Sequence, residues 1–358
     1  MNNKDIIYYH SEVIKTLRFP LAILIVFAHM LPFSQETIYL SLRSKDIYHL
    51  ISEVISHHLA RLSTCCYFIF SGYFFFISLQ KWDKNIYFSK LHKKIMTLLI
   101  PYFLWNSILI LAIYFKNLFF VYIDLPLEKD YLYFSHLSIY DLFYRMPINF
   151  PLWFIRDLMI MNILSPLFYF YFRYTRFWGL ILLFIIYILV IELPISGFGS
   201  ISIFYFGVGA YMGIFRIKFV TLSIQFRKLA IIGTLIFLII TLNAINTPLY
   251  EHFKRIYLIF GIIIIFNLGD KLLKIKELKR YLESLSSISF FIYVSHEIYI
   301  INWLKGALSR SYLSHSGWGM LVGYIIVPFF CIGILIIIYK FLDKFFPKSL
   351  KVIVGQRS

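Results

Sequence analysis

The chain has 358 residues, 60% of them apolar and 15% charged, against about 45–50% and about 25% in an ordinary soluble protein. Mean hydropathy is +0.76. That excludes a disordered chain and leaves too much apolar surface for a soluble enzyme, so the natural solvent is a bilayer. The formal charge of +17 reflects 35 Lys and Arg against 18 Asp and Glu. No basic domain stands apart from the apolar segments, so the positive-inside bias of membrane loops accounts for the excess and nucleic acid is not the expected partner.

Ten apolar segments are long enough to be read as crossings of a hydrocarbon layer of about 30 Å. They lie near 17–34, 58–79, 95–115, 151–172, 177–193, 199–215, 229–245, 253–268, 286–304 and 318–339. Residues 1–16 are polar and no small-residue cleavage site follows the first run, so that run is expected to remain as a helix. The runs are continuous rather than alternating, which argues against a membrane barrel. The fold class is therefore all-α: a polytopic membrane helical bundle of about 10 helices, read as one membrane domain over 1–358 with no appended soluble module. Cys65, Cys66 and Cys331 fall inside apolar runs and suggest neither a disulfide framework nor a metal site.

Loop cations set the orientation. The N-terminus, 80–94, 173–176, 216–228, 269–285 and the tail together hold 23 Lys and Arg, including Lys4 and Arg357. The alternate loops hold 7, including Lys129. Both termini are thus expected in the cytoplasm.

Charged and histidine side chains within apolar spans are costly and usually functional. Arg18 and His29 lie 11 residues apart on the first span. At 100° per residue they leave nearly the same helix face, about 16.5 Å apart along the axis. One elongated ligand can touch both. Arg18 alone reads equally well as a snorkelling cation at the interface. Pro20 follows as either a first-turn proline or a kink. His57, His58 and Arg61 open the second span. Trp153, Arg156 and Asp157 open the fourth, and His296 and Glu297 sit in mid-membrane in the ninth. These groups converge on the middle and outer half of the bilayer and predict a polar cavity among apolar helices. Toward the cytoplasm, Ser71-Gly72 permits close backbone approach. Lys90, His92, Lys93 and Lys94 form a basic cluster suited to phosphates or anionic lipid headgroups.

Taken in order, Leu17-Arg18-x10-His29, Phe70-Ser71-Gly72-Tyr73, Lys93-Lys94 before Pro101-Tyr102, Leu152-Trp153-Phe154 and Ile292-Tyr293-Val294-Ser295-His296 resemble the acyltransferase 3 family over nearly the whole chain. Its members are membrane O-acyltransferases of extracytoplasmic glycans. Many carry an acidic residue three positions before the motif arginine, where this chain has Lys15. Many also carry paired arginines opening the third span, where this chain has Lys93, Lys94 and Thr97.

The resemblance implies transfer of an acetyl group from cytoplasmic acetyl-CoA to a hydroxyl of an extracytoplasmic or lipid-linked glycan, without a metal, by a multi-pass protein of the bacterial inner membrane in contact with membrane lipid. Arg18, Lys93, Lys94 and Ser71 would meet the donor. His29 would act as general base or accept the acyl group. Glu297, Asp157 or His296 would orient a histidine or stabilise charge, and Trp153, Arg156, Asp157, Arg61 and His58 would meet the acceptor. A polytopic transporter or flippase for a glycan or small anion is the alternative that intramembrane charge and ten spans also allow, although no internal repeat supports it.

Overall fold

A computed structural model describes residues 3–31, 38, 41–124 and 137–356. Lys129 and Arg357, and the side chain of Lys4, lie outside the described residues. Every regular element described is helical.

The chain opens with α1 (Asn3–Ala28), which carries Pro20 in its interior rather than at its first turn. Next, α2 (Ser44–Glu53), a π-helical turn over Val54–Leu59 and α3 (Arg61–Phe76) run on as one rod. Asp83 caps α4 (Lys84–Lys94) by accepting from the backbone amides of Asn85 and Ile86 at 2.7 and 3.0 Å. A second π turn leads into α5 (Ile100–Tyr122), where Pro101 takes the first-turn position it tolerates. Then come α6 (Trp153–Ile163), α7 (Ser165–Ile188), α8 (Ser200–Ile214), α9 (Phe219–Gln225), α10 (Arg227–Asn243), α11 (Tyr250–Lys274), α12 (Lys276–Ser286), α13 (Ser289–Ser295), α14 (Ile300–Arg310), α15 (Gly317–Phe345) and α16 (Pro347–Ile353).

Each of the ten apolar runs holds helix, but breaks divide several. By length and apolarity five helical stretches suffice to cross a membrane, or six if α8 and α9, bent by 107°, count as one. One of the five is itself double. Arg176 has φ 50° and ψ −130° inside α7. Before it, Phe168 and Phe172 meet Phe206 and Tyr211 of α8, so the two segments run parallel. After it, Leu183 lies against Gly207 and Tyr187 stacks on Phe204, so they run antiparallel. The chain therefore doubles back at Arg176, inside the loop expected at 173–176. Tyr171 closes the hairpin by donating to the Gly179 carbonyl at 2.8 Å.

One buried apolar cluster extends from Val13 on α1 to Val354 near the C-terminus. Its closest backbone approach joins α3 and α8. A Cβ on Gly209 would lie 2.1 Å from the Ile69 carbonyl oxygen, and one on Gly72 would lie 2.3 Å from that of Phe206. Small residues permit such crossings in membranes, so Ser71-Gly72 is a packing point as well as part of a site wall. Gly209→Val should force the two backbones apart at an overpacking cost of about 1–3 kcal/mol or more. A lowered thermal midpoint of the detergent-solubilised protein would register it, and an unshifted midpoint would contradict this packing.

The amphipathic α12 clasps the foot of α1. Lys279 reaches Glu12 at 2.6 Å and Lys15 reaches Glu283 at 3.9 Å. Lys15 thus finds a carboxylate on another helix. Lys90 ties α4 to the end of α3 by donating to the Phe75 carbonyl and to Ser78 Oγ, the latter at 2.6 Å.

Candidate active site

His29 follows the last helical residue of α1, its amide still bonded to the Val26 carbonyl at 3.2 Å. Its Nδ1 lies 3.0 Å from Glu297 Oε1. Glu297 can reach it because the ninth apolar run is not continuous helix. The chain breaks between α13 and α14, with Tyr299 at φ 62°, a conformation costing of order 1–3 kcal/mol outside glycine and concentrated at functional sites. Lys305 on α14 secures the junction by donating to the His29 carbonyl at 2.8 Å.

His296 turns the other way and is fully buried. Its Nδ1 donates to the Ile292 carbonyl at 3.0 Å, and its ring meets that of His29 edge-on at 4.9 Å between centroids. Its Nε2 has no hydrogen-bond partner among the described residues. With the proton on Nδ1, that nitrogen is an acceptor.

Two cavities flank this point. A small one of about 40 Å³ is lined by His29, His57, Arg61 and Trp153. A larger one of about 350 Å³ is lined by Arg18, Ser71, Lys94, Thr97 and Ser289. Tyr67, Phe154 and Tyr293 line both. They form an aromatic waist, with Phe154 about 6 Å from each tyrosine ring. Tyr67 donates to the Arg18 carbonyl at 2.8 Å, and Tyr293 donates to the Pro151 carbonyl. The waist is thereby held by the same segments that carry the site. Arg18 and His29 end on opposite sides of it, as their three-turn spacing on α1 requires.

Several candidates fall elsewhere. Lys93 is exposed and lines neither cavity, whereas Lys94 faces inward. Arg156 does not reach the small cavity. Its Nε and Nη2 donate to Asp157 Oδ1 at 2.9 and 2.7 Å, and its Nη1 donates to the carbonyls of Tyr144 and Arg145 at 2.7 and 3.0 Å. Adjacent opposite charges thus neutralise each other and pin the segment before α6. Arg156 borders a separate apolar groove beside Tyr102 and Phe103. His58 points into the core against Tyr257.

His57 takes the place expected of His58, its Nδ1 2.5 Å from Glu53 Oε2. The cause is the π turn over Val54–Leu59, whose extra residue per turn shifts every later side chain around the axis; such bulges are frequent at functional sites. Uniform 3.6-residue periodicity does not show it. Glu53 carries no apolar-context signal, but its i, i+4 relation to His57 could have flagged the pair.

A family model described as an acyltransferase domain, Acyl_transf_3, matches residues 12–340. The chain belongs to the acyltransferase 3 family. It is a multi-pass membrane acyltransferase, so the transporter alternative gives way. It is also similar to the succinoglycan biosynthesis protein ExoH of Rhizobium meliloti (strain 1021), with 27% identity over 318 residues, 85% of this chain and 81% of that protein. No solved structure matches. Among the described residues, no group of three or more His, Cys, Asp or Glu is placed to hold a metal ion.

Proposed function

We propose that this acyltransferase moves an acetyl group from acetyl-CoA, entering at the Arg18 end, to a hydroxyl of an exopolysaccharide or lipid-linked glycan, arriving at the His29 end. The observation that carries this reading is the pair of cavities sharing the Tyr67–Phe154–Tyr293 waist, with Arg18 and Lys94 lining one and His29, held by Glu297, and Arg61 lining the other. Similarity to a succinoglycan biosynthesis protein supports a polysaccharide acceptor. The ten apolar runs, the loop cations and the reversal at Arg176 support a reading of ten traverses in one domain with both termini in the cytoplasm of a bacterial inner membrane. Arg18 then faces the compartment that makes the donor, and His29 lies toward the acceptor.

The CoA phosphates bind Arg18 and Lys94 through charge-assisted hydrogen bonds. The pantetheine arm passes Ser71 and the waist, which brings the thioester carbonyl to the small cavity. Glu297 holds the His29 Nδ1 proton, so Nε2 is the basic nitrogen. It takes the proton of the acceptor hydroxyl as that oxygen attacks the carbonyl carbon; the tetrahedral adduct then collapses with loss of the CoA thiolate. Arg61, on the same cavity, stabilises the developing oxyanion, a task its pairing with Asp157 denies to Arg156. His296 supports the ring of His29 from behind.

Acetyl transfer from labelled acetyl-CoA to exopolysaccharide fragments in membranes carrying this chain tests the reading. Arg18→Ala is expected to raise the donor KM about tenfold, the scale of one lost charge-assisted hydrogen bond. An unchanged donor KM would remove Arg18 from the donor site.

A further inference from the structure

Asn149 opens a short 3-10 turn over Phe150–Leu152, its carbonyl accepting from the Leu152 amide at 2.9 Å. An asparagine in that position ordinarily turns its side chain onto the first amides of the helix it opens. This side chain makes no such bond. It crosses to α13 instead, where Nδ2 donates to the Val294 carbonyl at 2.9 Å. The Asn149 amide donates to Asn106 Oδ1 on α5 at 3.1 Å, and Asn106 Nδ2 donates to the Tyr102 carbonyl at 2.9 Å. Both asparagines are fully buried, and polar side chains at membrane depth are costly enough to suggest a function.

The Val294 carbonyl lies where the ninth apolar run stops being helix. In a continuous helix it would accept from the amide of Ile298, four residues on. Ile298 donates to the Ser295 carbonyl at 3.0 Å instead. A helix end leaves its last carbonyls without intrahelical partners, a serious cost where water is scarce. Asn149 supplies the missing donor. Its own Oδ1 has no hydrogen-bond partner among the described residues. A buried acceptor left open is destabilising, and an apolar side chain would avoid that loss, so the group the position retains is the N–H. Three residues past Val294 comes Glu297, 3.0 Å from His29 Nδ1. On the other side, Tyr293 donates to the Pro151 carbonyl, and the Phe150 ring meets that of His29 edge-on at 6.3 Å. The stretch 149–151 thus touches both the break that carries Glu297 and the imidazole that Glu297 holds.

We infer that Asn149 is a positioning residue for acyl transfer: by capping the broken end of α13 it sets Glu297 against His29. Asn149 lines neither cavity and so acts through that carboxylate. The inference rests on the reading of His29 as the base.

Acetyl transfer, acetyl-CoA binding to the full chain in detergent and amide hydrogen exchange together test it. Asn149→Ala, and the isosteric Asn149→Asp that turns an oxygen toward the carbonyl, should each lower kcat about tenfold or more, with acetyl-CoA binding retained. Added to Glu297→Gln, Asn149→Ala should lower the rate little further, because residues acting as one unit are not additive; a general loss of structure would multiply. Exchange over 294–301, which needs no turnover, should quicken in Asn149→Ala. Parental rates in both single variants, losses that multiply in the double variant, acetyl-CoA binding lost from both single variants, or unchanged exchange would each overturn the inference. Quickened exchange in a chain that transfers no acetyl group would uphold the cap while defeating the acyl-transfer reading.

Discussion

His29→Ala is expected to lower acetyl transfer by about 10²–10⁴-fold, the range a positioned general base contributes. The imidazole is the titratable group that both lines the small cavity and is held by a carboxylate across a helix break. His57 sits on the same cavity with Glu53, but it enters from α3's end of the rod and not from the helix that carries Arg18, so it does not replace a base aligned with the donor arm. The loss should fall on kcat, with donor binding retained, because Arg18 and Lys94 are untouched. The check is transfer measured at matched protein levels alongside acetyl-CoA binding. Transfer within a few-fold of the parent would remove His29 from the chemistry.

Glu297→Gln should be nearly as damaging, by about 10²-fold or more, although it changes one atom. The carboxylate accepts from His29 Nδ1 at 3.0 Å. An amide there loses the charge that stabilises the imidazolium formed in the reaction, and its NH₂ can present a donor to Nδ1, which would move the ring proton to Nε2 and silence the base. Glu297→Asp keeps the charge but shortens the reach and should retain part of the activity. If Glu297→Gln behaved like the parent in initial rate, the carboxylate would be a packing feature of the break between α13 and α14.

The sequence displays the helical class, the ten runs and the three-turn relation of Arg18 to His29, because each depends on apolar length or on a fixed helical rise. It also singles out Glu297 by its cost in a membrane. What it hides depends on departures from regular geometry. The π turn that exchanges His57 for His58 leaves no trace in a 3.6-residue count. The contact between Glu297 and His29 spans 268 residues and relies on a break that a continuous apolar run conceals. Arg156 looks like a ligand group until its neighbour Asp157 and two loop carbonyls are seen to occupy it. The waist is built from Tyr67, Phe154 and Tyr293, ordinary members of a chain with 20% aromatic residues. Only their shared position between two cavities sets them apart. Arg255 reads as a cation at a span edge, and its burial is visible only once Tyr187 of α7 and Ser200 of α8 are seen to accept from it.

A structure with a non-hydrolysable thioether analogue of acetyl-CoA would test the account where it is most exposed. The account predicts phosphate density at Arg18 and Lys94, the pantetheine arm running past Ser71 between Tyr67, Phe154 and Tyr293, and the carbonyl within hydrogen-bonding reach of the His29 cavity. An analogue bound wholly on the Arg18 side of a closed waist, or in the groove beside Arg156, would contradict it.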